Sequence, residues 1–272
     1  MVVEILDGAI GTELIARGFP ARAPDWTARA AVEAPDLLGE LHRDYARAGA
    51  TIHTANTFRT QPRLLRAGWR DALDASVAIV RGAALANQRV AGSIAPVSDC
   101  YRPDLSPGAG AREEHRQVAS ALASAGCDLL LCETFANEAE ALVAAEEAVQ
   151  TGLPTWLSLT AGPFADLRTP RSLRGIAKRA LSTGIERLLV NCVAASLIEP
   201  YVDAIVGLGV PIGVYANAGD REEGIGWGAT GRAAAEAYAT FAERWVDAGA
   251  TVVGGCCGTS PLHIAALVER FG

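Results

Sequence analysis

The chain has 272 residues, half of them apolar, with a formal net charge of −7 and six cysteines. The acidic balance argues against a general nucleic-acid footprint, and no apolar run reaches the length of a membrane span. The first residues pass into a strand-like run without a basic segment, so no signal peptide is read. Six thiols without one point to a reducing, cytoplasmic setting, where cysteines bind metals or catalyse.

Short apolar runs recur along the chain at 3–7, 51–57, 89–95, 128–133, 155–160, 187–192, 211–215 and 251–255. Their near-continuous hydrophobicity fits parallel strands buried on both faces. Ala-rich amphipathic segments intervene, including 71–87, 112–125, 137–150 and 231–248. Gly49, Gly126, Gly184 and Gly249 stand where helices should end in the left-handed conformation. The last helix has Ser260 as N-cap, Pro261 in its first turn, and Ile264, Leu267, Val268 and Phe271 on one face.

Eight strand–helix units predict an α/β fold, a single-domain (β/α)8 TIM barrel over residues 1–272. An open doubly wound sheet is the alternative, and the missing Gly-x-Gly-x-x-Gly after the first strand weakens its dinucleotide-binding version. Two irregular stretches, 18–35 and 97–110, follow strands 1 and 3. On a barrel such loops lie on the catalytic face.

Reactive residue types collect at the expected strand ends: Asp7, Thr57, Ser98 or Asp99, Glu133, Ser158 or Thr160, Asn191 and Cys192, Asn217, and Cys256 and Cys257. Cys192, Cys256 and Cys257 would meet across strands 6 and 8. Three thiolates with one open position describe a catalytic zinc site. Vicinal ligands require an unusual turn, which Gly254, Gly255 and Gly258 permit. Core packing of the thiols, a strained vicinal disulfide and a phosphate-binding glycine loop are the competing readings. Cys100, Cys127 and Cys132 read as core or loop thiols. Asp7 and Glu133 could hold an ammonium group across the mouth. His42 and His115 read as packing or surface residues, His263 as structural, and His53 as a strand residue able to face the interior. The single lysine, Lys178, is not strand-borne, which removes a Schiff-base aldolase.

These strings resemble the homocysteine S-methyltransferase family nearly end to end. The resemblance is carried by 6–14 (Leu-Asp-Gly-Ala-Ile-Gly-Thr-Glu-Leu), Trp26, 41–50 (Leu-His-Arg-Asp-Tyr-Ala-Arg-Ala-Gly-Ala) and 54–58 (Thr-Ala-Asn-Thr-Phe). It continues through Glu133-Thr134, Asn191-Cys192, 215–219 (Tyr-Ala-Asn-Ala-Gly) and 254–259 (Gly-Gly-Cys-Cys-Gly-Thr). It implies a barrel with one Zn²⁺ on Cys192, Cys256 and Cys257, and homocysteine held through its amino group by Asp7 and Glu133, with Thr57 nearby. Many relatives carry proline where Ala216 stands here.

The implied reaction is methyl transfer from a cationic donor to homocysteine in methionine biosynthesis. S-Methylmethionine or S-adenosylmethionine is favoured because 18–26 resembles that branch. A betaine-dependent enzyme, a methylcobalamin- or folate-linked core served by a methyl-carrier protein, and a non-catalytic homocysteine and zinc-binding module are the alternatives. Aromatic faces suit an onium methyl group, and Trp26 and Tyr101 are the donor-binding candidates, with Phe19, Phe58 and Trp227 behind them. The implied partners are small molecules, with neither nucleic acid nor membrane.

Overall fold

A computed structural model describes residues 2–219, 222–227 and 231–272, so residue 1 of the expected 1–272 domain lies outside the described residues. Its strands are β1 (Glu4–Ile5), β2 (Ile52–Thr54), β3 (Arg89–Ile94), β4 (Leu129–Phe135), β5 (Thr155–Leu159), β6 (Arg187–Ala194), β7 (Ile212–Asn217) and β8 (Ala250–Gly255). All pair in parallel, in the order β1-β8-β7-β6-β5-β4-β3-β2. The ring closes where Leu6 bridges Ile52: the Asp7 N–H donates to the Ile52 carbonyl at 2.9 Å, and the Thr51 N–H to the Ile5 carbonyl at 2.8 Å. The fold is the (β/α)8 barrel.

Alternation along each strand sorts side chains into two layers. Leu6, Ile52, Ala91, Leu129, Leu131, Trp156, Leu189, Tyr215 and Val252 form a separate cluster inside the ring. Their neighbours Ile5, Val90, Leu130, Leu157, Leu188, Val214 and Val253 pack outward with the helices. At the N-terminal end, the Arg89 and Arg187 guanidinium carbons lie 5.5 and 4.8 Å from the Trp156 ring centroid, and Glu4 pairs with both arginines. This plug closes one end and leaves the other for chemistry.

The helices follow the expected pattern with shorter ends. The segment read as 71–87 forms Trp69–Ala83; the other three form Arg112–Ser124, Glu138–Val149 and Arg232–Asp247. Asn137 caps the third, its side chain accepting from the Glu140 N–H at 3.1 Å. The four helix-ending glycines all have positive φ. In the final helix, Pro261–Phe271, Ser260 and His263 form a reciprocal cap, so His263 is structural as read. No helix among the described residues is long and apolar enough to cross a membrane.

Candidate active site

The C-terminal mouth encloses a cavity of about 790 Å³ whose lining includes Asp7, Trp26, Thr54, Phe58, Arg59, Cys100, Tyr101, Glu133, Cys192, Tyr215, Cys256 and Cys257. Both irregular loops contribute, one through residues 21–26 and the other through 97–101.

Cys192 owes its direction to a distortion of β6. The β6–β7 register shifts between Asn191 and Ala194, and Cys192 has φ 53. A non-glycine residue there costs on the order of 1 kcal/mol. A matching shift lies between Cys132 and Phe135 of β4, where Thr134 has φ 64. The Asn191 side chain ties the two distortions together. Its Oδ1 accepts from the Thr134 N–H at 3.2 Å and the Ser158 hydroxyl at 2.7 Å, and its Nδ2 donates to Thr134 Oγ1 at 2.8 Å. Thr134 Oγ1 in turn donates to Cys192 Sγ at 3.9 Å. Asn191→Ala is expected to cost about 1–3 kcal/mol of stability and about 10–100-fold in metal affinity. Thermal melts and chelator competition measure the two, and unchanged metal affinity would show that this relay does not place Cys192.

Successive side chains on an extended chain point to opposite faces, so Cys256 and Cys257 can converge only on a turn. The Thr259 N–H donates to the Cys256 carbonyl at 3.1 Å, and the Thr259 hydroxyl donates to the same oxygen at 2.8 Å. The Cys256 N–H holds the Ala216 carbonyl at 2.8 Å, and the Ala218 N–H holds the Cys257 carbonyl at 2.9 Å. Gly258 has φ 81, and a Cβ there would fall 2.7 Å from Trp227 Cε2, so this turn requires glycine.

The sulfurs of Cys192, Cys256 and Cys257 all lie within 4.8 Å of one another, a group able to hold a metal ion. Tetrahedral thiolates at about 2.3 Å from a zinc-sized ion stand ~3.8 Å apart, which this spacing admits. Hydrogen bonds from the Cys256 and Cys257 thiols hold Cys192 well below the usual thiol range, and their bonds to Cys192, with burial, push Cys256 and Cys257 well above it. Cys192 also receives a hydrogen bond from Tyr101. All six cysteines are unbridged.

Asp7 and Glu133 are buried in the same cavity. Asp7 accepts from the Thr54 N–H at 2.8 Å and the Thr54 hydroxyl at 2.9 Å. Glu133 accepts from the Ser93 hydroxyl and from the Tyr215 hydroxyl at 3.1 Å. Burial raises Asp7 well above the usual carboxylate range, and the Glu133 charge adds to the rise against the Thr54 hydrogen bonds. Burial pushes Glu133 up to about 7, against the Ser93 hydrogen bond and with the Cys192 charge adding to the rise. Two buried carboxyls in one cavity, both raised chiefly by burial, favour a cationic ligand.

A group with a raised folded pKa contributes stability that is present below its unfolded value and lost as pH rises through the folded one. For Glu133 that window runs from 4.5 to about 7. Thermal melts of the metal-free protein should therefore show Glu133→Gln gaining on the wild type as pH rises from about 5 to about 8. A pH-independent difference would contradict this.

The strand-end reading of Thr57 changes. Its hydroxyl donates to the Ser93 carbonyl at 2.8 Å and accepts from the Ser93 N–H at 3.1 Å, and Thr57 does not line the cavity. Thr54 takes the place beside Asp7. His53 lies next to Ile52, which faces the interior, and its Nε2 is 2.9 Å from Gln88 Oε1. With His42 and Asp7 it forms a second group whose ligand atoms fall within 4.8 Å. His42 is buried and lowered to about 3 by burial and by His53. Of the aromatic candidates, Trp26, Phe58 and Tyr101 line the cavity, whereas Phe19 and Trp227 do not. Trp26 meets Phe58 edge-on at 6.3 Å and packs against Gly11, where a Cβ would fall 2.2 Å from the indole. Cys100, read as a core or loop thiol, lines the cavity, as do Thr54 and Tyr215, which no motif had marked as holding the carboxylates.

The sequence profile described as homocysteine S-methyltransferase matches residues 4–271. A homocysteine S-methyltransferase of Escherichia coli (strain K12) is 32% identical, covering 98% of this chain and 94% of that protein. A selenocysteine Se-methyltransferase of Brassica oleracea var. italica is 26% identical, covering 98% of this chain and 88% of that one. The crystal structure of the E. coli homocysteine methyltransferase MmuM in its metallated form superposes with a TM-score of 0.81 at 30% identity, covering 99% of this chain and 96% of that chain.

Proposed function

The chain belongs to the homocysteine S-methyltransferase family and is a methyltransferase; on that premise we propose that it transfers a methyl group from S-methylmethionine or S-adenosylmethionine to L-homocysteine, giving methionine, with zinc held by Cys192, Cys256 and Cys257. The observation that carries this reading is the meeting of three cysteine sulfurs and two buried carboxyls in one cavity. The relative crystallised in a metallated form supports the metal.

Zinc on the three cysteines would bring homocysteine's sulfur in as a thiolate, where a free thiol of pKa about 8.5 is only a few per cent ionised at neutral pH. The protein's own residues do the rest. Asp7 and Glu133 hold the substrate ammonium, each braced by hydroxyl donors, so that the thiol end reaches toward β6 and β8. Thr57 supports this at one remove, by fixing the Ser93 backbone whose side chain holds Glu133. Trp26, Phe58 and Tyr101 offer aromatic faces to a sulfonium.

In the transfer, one carbon–sulfur bond of the donor breaks and its electron pair stays on the donor sulfur, which becomes a neutral thioether. A new carbon–sulfur bond forms on homocysteine. Positive and negative charge cancel on the way, so a cavity shielded from water favours the step. In-line placement contributes up to the ~7–11 kcal/mol of ideal intramolecular cases.

A donor panel with homocysteine and zinc-loaded protein, scored for methionine, tests the proposal. Turnover with a sulfonium is expected. Turnover restricted to betaine, methylcobalamin or a methylated folate would replace the donor, and no methionine from any of them would leave a binding module.

A further inference from the structure

Three arginines line the cavity: Arg22, Arg59 and Arg63. Arg22 is exposed and pairs with Glu33, and Arg63 is exposed and pairs with Glu114. Arg59 is half-buried and forms no ion pair among the described residues. Its Nη1 donates to the Ser98 carbonyl at 2.8 Å, which secures the side chain and leaves its other N–H groups available. Arg59 directly follows Phe58, and Ser98 belongs to the loop that carries Cys100 and Tyr101. Cys100 feels both the Arg59 charge and the Cys192 charge. The unpaired guanidinium is therefore tied to the loop of Cys100 and Tyr101, in the cavity that Trp26, Phe58, the three sulfurs and the two carboxyls also line.

A cationic donor alone would be repelled by a guanidinium in this place. A zwitterionic donor would not be, because its onium group can rest on the aromatic faces while a carboxylate takes the free N–H fork. Arginine suits that role because its planar donors match a carboxylate in two parallel hydrogen bonds. Homocysteine has its own anchor, through its ammonium, at Asp7 and Glu133.

We propose that Arg59 is a specificity residue that binds the carboxylate of the methyl donor, so that this enzyme takes carboxylate-bearing onium compounds. The proposal rests on the methyl-transfer reading above and adds what selects the donor.

The test is steady-state kinetics of zinc-loaded wild type, Arg59→Gln and Arg59→Lys, with S-methylmethionine and its methyl ester as donors. Arg59→Gln is expected to raise KM for the free acid about 10–100-fold, as for loss of a charge-assisted contact. KM for the ester and for homocysteine should be unchanged, and Arg59→Lys should recover part of the loss. An equal effect on acid and ester, or a rise in homocysteine KM in place of donor KM, overturns the assignment. Failure of the donor reading looks different: the wild type then uses neither sulfonium. Glycine betaine and its methyl ester replace the pair in that event. A preference for the acid that Arg59→Gln abolishes sustains the role of Arg59, and a wild type that uses neither compound, or both equally, overturns it.

Discussion

Cys257→Ala is expected to lose the metal and to lower methionine formation by on the order of 10³-fold or more, because two remaining thiolates cannot complete a three-cysteine site. The fold should persist. The Cys257 side chain is only partly buried, whereas the backbone of its turn is held by the Ala218 N–H to its carbonyl and by Thr259 to Cys256. Metal content by elemental analysis, circular dichroism and turnover separate these outcomes. Wild type stripped of metal should behave as the variant does. Full activity after metal removal would sink the mechanism.

Asp7→Asn and Glu133→Gln should act on homocysteine and leave the metal in place. Each removes one charge-assisted contact to the ammonium, so KM for homocysteine should rise about 10–100-fold in either variant. The double variant need not be additive, because the Glu133 charge adds to the rise of Asp7 and the two carboxyls share one cavity. A dependence on pH goes with this. Glu133 rises to about 7 in the unliganded protein and must be ionised to pair with an ammonium, so kcat/KM for homocysteine should climb through neutral pH. That inflection should disappear in Glu133→Gln. Unchanged homocysteine KM in both variants would remove the amino-group role.

Much of the barrel was legible because its signals are local. Buried parallel strands are continuous apolar runs, and Gly49, Gly126, Gly184 and Gly249 mark helix ends through backbone conformation alone. The cysteine pair was legible because its glycine neighbours are needed for the turn itself. What the sequence hid depends on departures from regular alternation or on contacts between distant strands. β2 ends at Thr54, and the chain then turns, the Thr57 N–H reaching the Ala55 carbonyl at 2.7 Å. Reading the strand on to residue 57 picks Thr57 as its end, where Thr54 meets the site. Cys192 and Thr134 take left-handed backbones that their residue types do not announce, and only Asn191, linking β4 to β6, explains them. The hydroxyls of Ser93 and Tyr215 reach Glu133 from two other strands, a convergence that closure of the ring creates.

The most direct measurement is zinc K-edge X-ray absorption of the loaded protein with and without homocysteine. Three sulfur neighbours, from Cys192, Cys256 and Cys257, are expected in the resting protein, and a fourth when homocysteine is added. A sulfur count that stays at three, or zinc bound without the cysteines, would contradict this.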